Sequence, residues 1–206
     1  MQPEVIICLD IGGTNCRMGI VDAGGALLES SIVSTEELAK GGFMQQLTRL
    51  LASLCQSCGE RYAVRAVSMG FPATVDKTRR RVLQAPNIPG LGDNLPVCDI
   101  LEEALQIPVF LERDVNLLLA HDLQKLHLED ADTVIGIYFG TGIGNSIYIG
   151  GRFHGGYNGV AGEIGHIPQL YTSFHCGCGN TGGREPLGGG KRLSQLCAED
   201  FSGTDI

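Results

Sequence analysis

The chain of 206 residues is long enough for one domain or two small ones and buries enough surface on folding to need no covalent staples. With 43% hydrophobic and 18% charged residues it has the composition of a soluble globular protein, and no apolar run approaches the roughly 20 residues that span a bilayer. A net charge of -8 opposes phosphate backbones and anionic lipid, which excludes nucleic acid and membrane as general partners.

No basic, cleavable leader precedes Val5, so the chain reads as cytoplasmic. Val5 to Leu9 is a short β-branched run that ends at Asp10 and runs into Ile11, Gly12, Gly13 and Thr14. This pattern predicts a buried strand delivering a tight glycine turn. Cys16 to Val21 and Ala26 to Val33 read as a hairpin around Asp22 to Gly25. From Gly42 to Gly59 the apolar residues Phe43, Leu47, Leu50, Leu51, Leu54 and Cys58 recur at helical spacing. Cys55 and Cys58 fall on that helix and read as packing. Cys8, Cys16, Cys98 and Cys197 are likewise scattered through apolar or helical contexts, as reduced thiols are.

Ala63 to Met69 predicts a strand ending in Gly70, Phe71, Pro72 and Ala73, and Arg81 to Leu83 another ending in Ala85 to Gly90. Arg79, Arg80 and Arg81 between them read as a solvated turn. Asp99 and Glu102 have the spacing of a capping box that opens a helix to about Leu105. Pro108 to Leu111 predicts a strand whose end carries Glu112, Arg113 and Asp114 before a helix begins at Val115. Asp114 therefore stands at a strand-to-helix junction, the side of an open α/β sheet where ligands bind.

Thr133 to Phe139 predicts a further buried strand, followed by Gly140, Thr141, Gly142, Ile143 and Gly144, a hairpin of Asn145 to Ile149, and a return through Arg152 and Phe153. Strand, Gly/Thr turn, strand, glycine turn, strand thus occurs at 5–33 and again at 133–153. The repeat predicts an α/β fold of two lobes of like topology facing one another, divided as 1–120 and 121–206. Two glycine and threonine turns at strand ends offer backbone N–H groups to anionic oxygens. Neither has the Gly-Lys-Ser/Thr of a P-loop. Asp10, just before the first turn, suits a phosphate-bound Mg²⁺.

The stretch from Gly162 to Glu185 holds one His and two Cys within thirteen residues, His166, Cys176 and Cys178, with Glu163 and Glu185 at its flanks. An imidazole and two thiolates at that spacing match three ligands of a tetrahedral zinc.

Asp10 to Thr14, Glu112 to Asn116, Gly140 to Gly144, and Gly162 to His166 with the Cys-x-Cys-Gly-x-x-Gly after it resemble the ROK family of sugar kinases and sugar-responsive repressors. The resemblance runs through the whole chain in order. It implies an actin-like ATPase (ribonuclease H-like) fold, ATP and Mg²⁺ as co-substrate and cofactor, a hexose substrate and a homodimer. Asp114 matches the family's catalytic base. Asn87, Arg113, Asn116, Glu163, His166 and Glu185 match the hexose pocket, and Asp10, Gly12, Gly13, Thr14, Gly140, Thr141 and Gly142 match the nucleotide site. His166 is implied to use one ring nitrogen for zinc and the other for sugar.

Within the family, Gly70 to Ala73, Pro86 to Pro89 and Arg113 to Leu117 resemble the D-allose kinases. Arg113 stands where many members have Asn, and Ala73 where many have Gly, departures that favour a sugar other than glucose. The family's third zinc cysteine falls on Gly183, which offers no ligand. Either water, His175 or Cys197 completes a site of His166, Cys176 and Cys178, or the loop has lost its metal. Members of the family continue past the position equivalent to Ile206, so the second lobe is expected to be truncated and ATP to bind poorly. A sugar-responsive regulator, which would need a DNA-binding helix-turn-helix ahead of Val5, and an inactive sugar- and zinc-binding fragment are the alternatives.

Overall fold

The computed structural model describes residues 2–169, 173–176 and 178–200, without the side chains of 199 and 200. Gly177 of the Cys-x-Cys pair and the chain after residue 200 lie outside the described residues. In chain order the elements are β1 (Glu4–Ile11), β2 (Asn15–Asp22), β3 (Leu27–Ser34), α1 (Thr35–Ala39), α2 (Phe43–Gly59), β4 (Ala63–Phe71), β5 (Thr74–Val75) and β6 (Val82–Gln84). They continue with α3 (Val97–Leu105), β7 (Val109–Arg113), α4 (Asp114–Leu126), β8 (Thr133–Phe139), β9 (Ile143–Ile149), β10 (Arg152–Phe153), a 3-10 turn (Ile164–His166), α5 (Glu185–Gly188) and α6 (Gly190–Asp200). No helix among the described residues is long and apolar enough to cross a membrane. The chain divides into two compact units, Met1–Leu117 and Leu118–Ile206.

The first unit is built on a five-stranded sheet in the order β3-β2-β1-β4-β7. β1, β2 and β3 form an antiparallel meander, and β4 and then β7 add in parallel to the open edge of β1. Alternation along β1 turns Val5, Ile7, Leu9 and Ile11 into the interior. There Ile7, Leu9 and Ile11 meet Phe43, Leu47 and Leu51 of α2, Val67, Met69 and Phe71 of β4, and Val97 and Leu101 of α3 in one buried cluster. Phe43 and Phe71 stack edge to face at 6.4 Å. Each such side chain contributes about 1.5–3 kcal/mol by leaving water, so the sheet is held by the apolar stripe of α2 that the sequence spacing predicts.

One local expectation is corrected and another refined. Helix α3 starts at Val97 behind Pro96, with no side-chain cap; Asp99 instead pairs with Arg80 at 2.7 Å, and Glu102 accepts the Val109 N–H at 3.0 Å. The arginine run does form a turn, with the Arg79 and Arg80 side chains 54% and 42% exposed, but its charges are paired as well as solvated. Arg80 grips Asp99 and Glu102 on α3, Arg79 pairs with Glu112, and Arg81 donates to the Asn94 carbonyl. Asp76 ties the turn itself: its Oδ1 accepts the N–H groups of Arg80 and Arg81 at 2.9 and 2.8 Å.

The second unit carries an antiparallel sheet in the order β10-β9-β8, the same meander as β3-β2-β1. Tyr138 of β8 donates its hydroxyl to Asp122 of α4 at 2.8 Å; burial first, then this carboxylate, push the phenol well above its ordinary range. The opposite face of β8 is not buried as its continuous apolar run predicts. Ile135, Ile137 and Phe139 are 57%, 51% and 73% exposed, because nothing among the described residues covers that face.

Candidate active site

In the first unit the parallel register fixes where the polar residues gather. Asp10 of β1 pairs with Gly70 of β4, Gly70 with Glu112 of β7, and Phe71 with Arg113. The rung from Asp10 to Glu112 thus lies at the carboxyl ends of three neighbouring parallel strands, where open α/β sheets bind ligands. Asp114 follows as the first residue of α4, half-buried, its Oδ1 accepting the Val115 N–H at 2.8 Å. Gly70 lies against that junction: a Cβ there would be in ordinary contact with the Asp114 Cα at 3.6 Å and would press on a Leu117 methyl at 2.9 Å.

The first glycine turn is tied back by Gly12 N–H to the Asn15 carbonyl at 2.8 Å. Buried Thr35, a residue without a signal of its own in the sequence, bonds through its hydroxyl to the Gly12 carbonyl at 2.6 Å and through its N–H to that of Thr14 at 3.0 Å. Gly13 and Thr14 stay exposed. A Cβ on Gly13 would lie 3.2 Å from the Asn87 carbonyl, so the loop after β6 closes over this turn and brings Asn87 to it. Asp10 is exposed and pairs with Arg17 at 3.2 Å. Its carboxylate, at the end of β1 beside a turn of accessible backbone, fits a Mg²⁺ that is held through one protein oxygen, water and phosphate. Arg113 and Asn116 are both buried.

In the second unit a different set converges. Gly162, with φ of 96°, leaves no room for a Cβ against the Asn145 side-chain amide, and Gly165 none against the Ile143 carbonyl. These two glycines lay the 3-10 turn directly on β9. Asn145, buried and also unforeseen from the sequence, accepts the Ile164 N–H at 3.1 Å. Between them Glu163 is held at φ 26°, ψ 42°, a left-handed conformation that non-glycine residues keep only where the surroundings impose it. Its Oε2 stands 3.6 Å from His166 Nε2, and His166 Nδ1 stands 3.2 Å from Cys176 Sγ. The imidazole is therefore aimed by its two nitrogens at a thiol and at a carboxylate.

Ligand atoms of His166, Cys176 and Cys178 all lie within 4.8 Å of one another. One imidazole nitrogen and two sulfurs at that separation fit three corners of a zinc tetrahedron. Among the described residues neither His175 nor Cys197 falls within that distance of the group. Gly183 borders it instead: a Cβ there would lie 3.1 Å from Cys176 Sγ and 3.2 Å from the Gly165 carbonyl. Burial raises the Cys176 thiol above its ordinary range.

Glu185, at the start of α5, reaches the second glycine turn and accepts the Ile143 N–H at 3.1 Å. The carbonyls of Gly140 and Thr141 accept the Gly190 and Lys191 N–H groups at 2.8 and 3.1 Å. The turn Gly140 to Gly142 thus caps the amino end of α6, and Glu185 is brought to it rather than left as a flank of the cysteine loop.

The model of the ROK family matches residues 6–205. The chain belongs to the ROK family. It is 30% identical over 198 residues to a glucokinase of Streptomyces coelicolor, covering 96% of this chain and 60% of that protein. An N-acetyl-D-glucosamine kinase of Haemophilus influenzae is 28% identical over 183 residues, covering 84% of this chain and 59% of its own. Among solved structures, a ROK family glucokinase from Streptomyces griseus in complex with glucose and AMPPNP superposes with a TM-score of 0.81 at 32% identity, covering 97% of this chain and 62% of that one. The ROK chain therefore has the α/β, actin-like ATPase fold of these sugar kinases, and it spans about 60% of the length of the curated relatives it matches.

Proposed function

We propose that this ROK chain serves ATP-dependent transfer of a phosphoryl group to a hexose hydroxyl, with D-allose, giving D-allose 6-phosphate, as the preferred acceptor. The observation that carries the reading is the position of Asp114, where β7 becomes α4, on the sheet edge that also presents Asp10 and the first glycine turn. In this reading Asp114 takes the proton of the attacking hydroxyl. The sugar oxygen bonds to the γ-phosphorus, the bond to the β,γ-bridging oxygen breaks, and ADP leaves with that electron pair.

Asn87, Asn116, Glu163 and Glu185 hold the hexose, since carboxylates and amides each accept from a hydroxyl and fix its direction, while Arg113 donates to it and His166 offers its second ring nitrogen. Gly12, Gly13 and Thr14, with Gly140, Thr141 and Gly142, face the nucleotide phosphates. Asp10 would hold Mg²⁺, which neutralises charge developing on the phosphates. His166, Cys176 and Cys178 would hold a zinc that fixes the cysteine loop beside Glu163. Arg113 and Ala73 support the choice of an acceptor other than glucose. The reading places the protein in the cytoplasm as a homodimer.

The test is hexose binding by calorimetry together with sugar-dependent ADP release over a panel of hexoses. Asp114→Asn is expected to keep sugar affinity while lowering turnover by about 10²- to 10⁴-fold, the worth of a general base. Equal turnover by Asp114→Asn would overturn the assignment of the base. A higher kcat/KM for D-glucose than for D-allose would overturn the acceptor.

A further inference from the structure

We infer that Glu112 is a positioning residue for the hexose site, acting through Asn116 and itself set by Arg79; the inference rests on the kinase reading above. Glu112 is the last-but-one residue of β7 and its side chain is only 17% exposed. Its two carboxylate oxygens are divided between different tasks. Oε1 accepts the Arg113 N–H at 2.9 Å and the Asn116 Nδ2 at 2.8 Å. Oε2 takes the Arg79 guanidinium, through Nε, at 2.9 Å.

The bond to Asn116 decides which way its amide points. A carboxylate oxygen is an acceptor, so the end of the amide facing Glu112 is the NH₂ group and the carbonyl is turned away. Asn116 is buried on α4, four residues past Glu112 of β7, and an amide with its ends interchanged would turn its NH₂ group, not its carbonyl, away from Glu112. Glu112 therefore sets the polarity that Asn116 offers a sugar hydroxyl. Through the Arg113 N–H it also fixes the backbone immediately before Asp114.

Arg79 closes the arrangement from outside the sheet. It occupies the β5–β6 turn at φ 55°, in a loop that Asp76 pins through the Thr78, Arg80 and Arg81 N–H groups. The Arg79 carbonyl also accepts the Cys98 thiol at 3.6 Å. A turn so tied delivers the guanidinium to one place, and its bond to Oε2 fixes the plane of the carboxylate and hence the direction of Oε1.

The test is the dissociation constant for D-allose and D-glucose, by calorimetry on the full chain, in Glu112→Gln, Arg79→Ala, Arg79→Lys, Asn116→Ala and the double variant Glu112→Gln/Asn116→Ala. Glu112→Gln is expected to weaken hexose binding about tenfold, as loss of one well-made polar contact does. Arg79→Ala is expected to weaken it in the same direction, with partial recovery in Arg79→Lys, and it replaces Glu112→Gln as the test if that variant does not fold. Because Glu112 acts through Asn116, the double variant should bind no more weakly than Asn116→Ala alone. Unchanged affinity in Glu112→Gln and Arg79→Ala, or effects of Glu112→Gln and Asn116→Ala that multiply, would overturn the inference while leaving the kinase reading standing. No hexose binding by the unsubstituted chain would overturn both.

Discussion

The Glu185 carboxylate lies against Gly142 so closely that a Cβ at 142 would fall 2.5 Å from its Cδ and nearer still to Oε2. The same carboxylate accepts the Ile143 N–H, so one glycine of the second turn exists in the space that an acidic side chain occupies. Gly142→Ala must expel Glu185 and break that charge-assisted bond, at a cost of about 1–3 kcal/mol. Urea unfolding should show this loss in Gly142→Ala, and a much smaller loss when the same change is made in a Glu185→Ala background. Equal losses in the two backgrounds would mean that the cost of Gly142→Ala does not come from displacing Glu185 or from losing its bond to the Ile143 N–H.

The β5–β6 turn predicts a specific response to acid. Partial burial works to raise the Asp76 carboxyl, but hydrogen bonds from the Thr78 hydroxyl and from the Arg80, Arg81 and Thr78 N–H groups outweigh it and hold the carboxyl below its usual range. A group depressed in the folded state stabilises fully above its unfolded value, about 3.9 for Asp, and that contribution disappears as pH falls through the folded value. Urea midpoints of the unsubstituted chain and Asp76→Asn should therefore differ at neutral pH and converge below about pH 4. A difference that persists undiminished at pH 2 would remove Asp76 from the acid response.

What was legible in the sequence was whatever local pattern decides. The apolar stripe of Phe43, Leu47 and Leu51 gave α2, and alternation with terminal glycine turns gave the two meanders. The junction at Asp114 was legible because a strand end and a helix start adjoin there. Long-range pairing was not legible. Nothing local in Arg79 to Arg81 says that three charges will each find a partner, and Asp99 with Glu102 shows capping-box spacing although Pro96 starts the helix and both carboxylates turn to Arg80. Thr35 and Asn145 escaped because a hydroxyl or amide bonded to a distant backbone group leaves no periodic trace. Glu112 stood inside a recognised motif, yet its tie to Arg79 spans a separate hairpin.

β8 separates pattern from burial in a measurable way. Its apolar run predicts burial on both faces, yet Ile137 is half-exposed whereas Ile7 of β1 is fully buried. Ile137→Ser should change stability by no more than about 0.5 kcal/mol, and Ile7→Ala should cost about 2–5 kcal/mol. Urea denaturation of the two variants checks the contrast. A large loss in Ile137→Ser would mean that the outer face of β8 is covered in solution.

The metal question reduces to one position. His166, Cys176 and Cys178 converge within 4.8 Å, and Gly183 stands where a further side chain would begin, its Cβ position 3.1 Å from Cys176 Sγ. A sulfur one bond beyond that Cβ has only to rotate toward the group to complete a three-thiolate, one-imidazole set. The Gly165 carbonyl at 3.2 Å and Cys176 must yield by a few tenths of an ångström, a modest strain beside a zinc–thiolate bond. Gly183→Cys is therefore expected to bind one zinc per chain at least about 100-fold more tightly than the unsubstituted protein, since a fourth protein ligand adds a large share of the free energy that such a site gains from metal. Elemental analysis after competition with a chelator reads the difference, and Gly183→Ser, of similar bulk but without a thiolate, separates ligation from filling of space. Equal zinc retention by the unsubstituted chain and Gly183→Cys would show that three protein ligands with water already suffice to hold the cysteine loop beside Glu163.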